Sequence, residues 1–171
     1  MAYDLWRLRV LWANQERAMT SITEATEVVS DVLYESDQDL YVYAPPGQHR
    51  IVGEALVLGA AGLLLRGFFR GLKAAAEKRA EEWGETFGEW LFDRMKALFQ
   101  PDSEPRTEPD TEDLLAEAKQ ALNEHGSTGD AESREIELMV EDTLLRHKLP
   151  PDRAAAIAHV VKEQASVLLR A

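Results

Sequence analysis

The chain is 171 residues long, 45% hydrophobic and 29% charged, the composition of an ordinary globular protein. Its 19 basic and 31 acidic side chains leave a net charge of -12, which argues against nucleic acid as a partner, because Lys and Arg supply most of that affinity. The absence of Cys excludes disulfides, a thiolate nucleophile and any Cys-ligated zinc or iron–sulfur centre.

Met1 to Trp6 shows no basic stretch followed by an apolar run, so no signal peptide is visible. With no Cys, the expected location is cytoplasmic. Residues 4–12 read two ways. Trp6, Leu8, Val10 and Trp12 alternate with Arg7 and Arg9, the period-two pattern of a half-buried strand, with Leu40-Tyr41-Val42-Tyr43 as its partner. Leu8, Leu11, Gln15 and Ala18 also continue the heptad of the next helix. The aromatic residues favour the strand. Ala18, Ile22, Ala25, Val29 and Val32 then fall on one stripe and predict a helix over 15–35. A hinge follows at Ala44-Pro45-Pro46-Gly47.

Residues 51–100 balance 7 basic against 7 acidic side chains, and Ile51 to Leu72 reads IVGEALVLGAAGLLLRGFFRGL. Its longest uncharged run, Ala55 to Leu65, falls short of the roughly 20 apolar residues that span a bilayer. Around a helix, Gly59 and Gly62 share a face with Arg66, Arg70 and Lys73, while Phe68 lies on a greasy side with Val57, Ala61, Leu64 and Leu72. Each glycine costs a helix about 1 kcal/mol relative to alanine, so a face of small residues suggests a backbone that must be approached closely. A second stretch, Ala74 to Phe99, carries Ala80, Trp83, Phe87, Leu91, Met95 and Leu98 on one stripe and Glu82, Glu85, Glu89 and Asp93 on another. The expected form is a helical hairpin over 51–99, broken near Gly67–Gly71 or Gly84. Gly59, Gly62, Arg66, Phe68, Phe69, Arg70, Lys73, Trp83 and Phe87 are its candidate interface or membrane-contact residues.

Three prolines between Gln100 and Pro109, with no large apolar side chain, predict a linker over 100–109. Residues 101–171 hold 8 basic and 16 acidic side chains. Asp110 or Thr111 caps a helix with Leu114, Leu115, Ala118, Ala121 and Leu122 inside, and Gly126 stops it. A second helix from about Asp130 turns Ile136, Met139, Val140, Thr143 and Leu144 inward. Past Pro150-Pro151, Asp152 caps a third, with Ile157, Val160, Val161, Gln164, Val167 and Leu168 inside. The expectation is an acidic three-helix bundle over 110–171.

Catalytic signatures do not emerge. The glycines of 53–62 form no phosphate-binding pattern, and no H-E-x-x-H joins His49, His125, His147 or His159. His147 and His159 flank the Pro150–Pro151 loop, close enough in sequence to meet. The acidic row on 82–93 has the spacing of a solvated helix face rather than a cation site. No catalytic, cofactor or metal residue is assigned. The sequence therefore predicts a mainly α protein, α+β at most. An N-terminal unit over 1–99, with a small two-strand element and the glycine-notched hairpin, precedes the linker and the bundle. The expected function is a non-enzymatic scaffold, adaptor or effector subunit acting through helix–helix assembly, with itself or another protein. The alternative is a membrane-associated effector whose 51–99 hairpin inserts into lipid under restraint from the acidic module.

Overall fold

The structure, a computed structural model, describes residues 21–35, 53–98 and 110–171. Among them are six helices: α1 (Ile22–Glu35), α2 (Gly53–Ala76), α3 (Ala80–Leu98), α4 (Thr111–Glu124), α5 (Asp130–Arg146) and α6 (Pro151–Arg170). Helix α2 is the axis of the assembly and touches each of the other five. Its composition requires this. Leu65 and Phe69 are 0% exposed, and Ala60 and Leu63, which project from other sides of the helix, are only 2% and 4% exposed, so α2 needs covering on several sides. One large apolar core takes side chains from all six helices, those before position 99 and those after 110 alike, and a small satellite of Ala76, Ala121 and Leu122 forms a separate cluster.

The outer helices are amphipathic and each buries one stripe. Ala25, Val29 and Val32 of α1 face α2 and α6; Ala80, Phe87 and Leu91 of α3 fold back against α2. Helix α4 lies chiefly on α2 and only brushes α6, whereas α5 and α6 pair along their length. Glu137 of α5 ties these two together, meeting His159 Nδ1 at 3.0 Å and Lys162 Nζ at 3.2 Å. Burial works against the charge on Lys162, but its hydrogen bonds to Glu137 and Glu163 outweigh that and raise its pKa above the ordinary lysine value.

Three sequence expectations need correction. The fold class is all-α over the described residues, with no β-strand there. The positions assigned to the two-strand element, 4–12 and 40–43, lie outside the described residues, as do 15–20 of the helix expected over 15–35. Short alternation was a weak warrant, because every core face described here is closed by helix against helix. Secondly, the hairpin breaks at Glu77-Lys78-Arg79, not at a glycine. Gly67, Gly71 and Gly84 all remain inside helices. Thirdly, α6 begins at Pro151, with Pro150 in the capping position, so Asp152 lies within its first turn. Proline there needs no amide donor.

The hairpin turn explains why no glycine was needed. Lys78 adopts φ +62°, Arg79 N donates to Ala74 O at 2.6 Å, and Lys78 N donates to Ala75 O. This is the Schellman arrangement with lysine in the position glycine usually takes. Lys148 (φ +66°) ends α5 the same way, with Leu149 N donating to Leu144 O, and Gly126 does so for α4. A lysine in left-handed backbone carries strain that glycine avoids. Lys78→Gly is therefore expected to stabilise the fold by up to about 1 kcal/mol, read as a rise of about 2–4 °C in Tm. An unchanged or lower melting temperature would show that the lysine side chain contributes more than its backbone costs.

Candidate functional site

Several of the residues singled out in α2 and α3 pack or pair with other helices of the same chain. Phe68 and Phe69 are fully buried and Phe87 is 2% exposed. Trp83 stacks on Phe87 at 4.4 Å between centroids, and Phe87 on Trp90 at 6.0 Å. The cationic face of α2 is engaged along its length. Arg66 Nε donates to Thr111 Oγ1 at 3.3 Å, where α4 begins. A cation there opposes the helix dipole, and Asp110, Glu112 and Asp113 around the same turn offset it. The Arg70 guanidinium sits 5.2 Å from the centre of the Trp90 ring. Lys73 Nζ meets Glu117 Oε2 at 2.9 Å, and that hydrogen bond raises its pKa. A raised lysine pKa favours the folded state below the unfolded value and is lost as pH climbs through the folded one, so this staple weakens only in alkali. Both partners are about half exposed, which limits the pair to under about 1 kcal/mol.

The membrane expectation is overturned here. Among the described residues no helix is long and apolar enough to cross a membrane. The apolar body that was to insert, including Leu64, Leu65, Phe68 and Phe69, is covered by the other helices, and Arg66, Arg70 and Lys73 face α4 and α3. The error came from reading α2 as a free helix, when its greasiness reflects its central position.

The glycines divide into two groups. Gly59 and Gly62 are half-buried, and a Cβ on Gly62 would meet only the Arg66 side chain, at 3.7 Å, among the described residues. The close approaches occur further along. A Cβ on Gly67 would run into the Phe87 ring and lie 3.2 Å from Trp90; one on Gly71 would lie 2.9 Å from Ile136 and 3.0 Å from Trp83. Gly84 and Gly88 of α3 turn toward α5, against Met139 and Thr143.

Gly84 helps to line a groove of about 480 Å³ between α3 and α5. Gly84, Met139 and Thr143 form its floor. Glu81 and Glu85 line the α3 bank; Glu135 and Asp142 line the other. Leu138, on the α5 lip, is 59% exposed. Arg146 pairs with Asp142 at 2.7 Å, leaving Glu81, Glu85 and Glu135 without an ion-pair partner among the described residues. Glu82, which the sequence placed in the acidic row, is turned away and held by Arg79 at 2.9 Å. Glu81, Glu85, Glu89 and Asp93 form an exposed row spaced four apart on one face. Like charges at that spacing repel by about 0.2–0.5 kcal/mol per pair, a standing strain that a cation would relieve. Among the described residues, no group of three or more His, Asp or Glu is placed to hold a metal ion.

A second hollow, of about 50 Å³, lies among Leu33, Leu64, Leu91, Phe92, His147 and Ile157. That is room for a few water molecules in an apolar wall, far below the roughly 300 Å³ at which ligand pockets begin. The histidines do not meet. His147 stacks on Phe92 at 5.9 Å, His159 turns to Glu137, and His125 Nδ1 lies 2.9 Å from Ala121 O at its own helix end. His49 lies outside the described residues. Leu138 and Glu135, which sequence reasoning missed, are the residues that make the groove two-sided. Compared with protein-family models, with curated proteins and with solved structures, the chain finds no match.

Proposed function

We propose that the protein is a non-enzymatic adaptor or scaffold that binds a helical segment of a partner in the α3–α5 groove. The observation that carries this reading is Leu138, at 59% the most exposed of six exposed large apolar side chains among the described residues, beside a groove that Gly84 helps to line. An amphipathic helix recognises such a surface by laying its apolar face along it, and the bare backbone at Gly84 leaves its side chains room at the floor. The α2-centred core gives the groove rigid banks, so little is lost in ordering them on binding. The small size of the groove places the interaction in the weak, transient class.

The test uses the full chain and fluorescent 20-residue amphipathic peptides with leucines at i, i+3, i+4 and i+7, followed by anisotropy. Wild type is expected to bind at least one of them, and Leu138→Asp to weaken that binding at least tenfold, about 1.4 kcal/mol, with an unchanged circular dichroism spectrum. Binding indifferent to Leu138, or none at all, would remove the groove from consideration.

A further inference from the structure

We infer that the occupant of the α3–α5 groove is a basic amphipathic helix of another protein, not a second copy of this chain; this rests on the partner-binding reading above. Carboxylates stand on both banks, Glu81 and Glu85 on α3 and Glu135 on α5, none with an ion-pair partner among the described residues, and the cation in the lining, Arg146, is paired with Asp142. Between them runs the uncharged strip formed by Gly84, Met139 and Leu138. A helix that fits would carry one apolar stripe with Lys or Arg on both flanks, so that each flank meets an acidic bank.

A second copy meets the opposite situation. The chain carries -12 overall, and a two-fold dimer through this face would bring the carboxylates of each bank toward an acidic bank of its mate. Such like-charge contact suppresses association, while a basic partner is steered in and held in register. Arg146, the cation that lines the groove, is engaged by Asp142, and Arg79, two residues before Glu81, by Glu82. A bare divalent ion is disfavoured by the wide separation of the banks, which leaves no three acidic groups placed to share it.

The experiment compares three peptides with the same leucine stripe and with Lys, Gln or Glu on the flanks, against the full-length chain. The Lys peptide is expected to bind about tenfold or more tighter than the Gln peptide, to weaken as salt is raised, and the Glu peptide to bind least. Glu85→Lys should weaken the Lys peptide about tenfold, while Glu27→Lys, the same charge change on the exposed side of α1, should change it less than about threefold. Equal binding of the Lys and Gln peptides would overturn the charge inference and leave the groove reading standing. Equal effects of Glu85→Lys and Glu27→Lys would overturn it too, by showing attraction to the whole chain. Sedimentation that reports a dimer abolished by Leu138→Asp would replace the basic partner with a second copy. No binding by any peptide would bring down the partner-binding reading itself.

Discussion

Residues 110–171, expressed alone, are expected to retain helix but to lose cooperative unfolding. The sequence suggests an autonomous bundle, because α4, α5 and α6 each carry an apolar stripe. The packing assigns those stripes differently. Leu114 and Ala118 of α4 are 5% and 0% exposed in a helix that lies mainly on α2, and its contact with α6 is slight. Ile136 of α5 is 0% exposed and packs where Gly71 of α2 leaves room. Without α2, only the α5–α6 pair keeps an extensive interface. At 62 residues the fragment is already near the lower size at which one core suffices, and it would face water with much of that core. Far-ultraviolet circular dichroism should show helix that fades over a broad, sloping melt, with dye binding to exposed apolar surface, while the full chain melts sharply. A sharp transition in the fragment would establish that these helices close on one another and that α2 is dispensable to them.

What could be read from the sequence depends on how many sides of a helix are covered. Helices with one covered side are legible, since apolar spacing near 3.6 has a single meaning. Ala25, Val29 and Val32, Leu114, Ala118 and Leu122, and Ile157, Val160, Val161 and Leu168 all lie where their stripes predict. Val167, read as part of the same inner face, is 38% exposed because the covered arc of α6 ends beside Leu168. Helix α2 is not legible in this way. A helix apolar on most sides has the same appearance whether its cover is lipid, a partner or its own chain, and only the tertiary packing chooses. The hairpin turn was hidden for a local reason: Lys78 occupies a backbone position that normally announces itself as glycine. The groove was half visible. The acidic row of α3 stood out, and Leu138 fell outside the inner stripe of α5, an apolar residue with no interior role. Nothing in the sequence brought the two together, because their neighbourhood depends on how chain either side of the 100–109 segment packs against α2.

Once the turn at 77–79 is known, the glycines that matter follow from it, and they carry the second large prediction. In an antiparallel helical hairpin, residues equally distant from the turn meet. Gly71 and Trp83 are each six residues from Glu77, and Gly67 and Phe87 are each ten. The aromatic stack of α3 therefore rests on bare backbone in α2. Phe87 cannot yield, being 2% exposed and flanked by Trp83 and Trp90. Gly67→Leu should cost about 3 kcal/mol net, since overpacking at a rigid crossing outweighs the roughly 1 kcal/mol that leucine gains in helix propensity. For a chain of this size that is a fall of about 6–12 °C in melting temperature, with a loss of near-ultraviolet signal from the disturbed tryptophans. Gly62→Ala is the matched control. Its Cβ would meet only Arg66 at 3.7 Å among the described residues, so the propensity gain should appear undiminished and raise the melting temperature by about 2–4 °C. The two substitutions thus move stability in opposite directions although both remove a glycine from the same helix. If Gly67→Leu melts with the wild type, the α2–α3 crossing is not as described. If Gly62→Ala destabilises the chain, another backbone reaches that face, and Gly59 and Gly62 regain the close-contact role that their sequence spacing suggested.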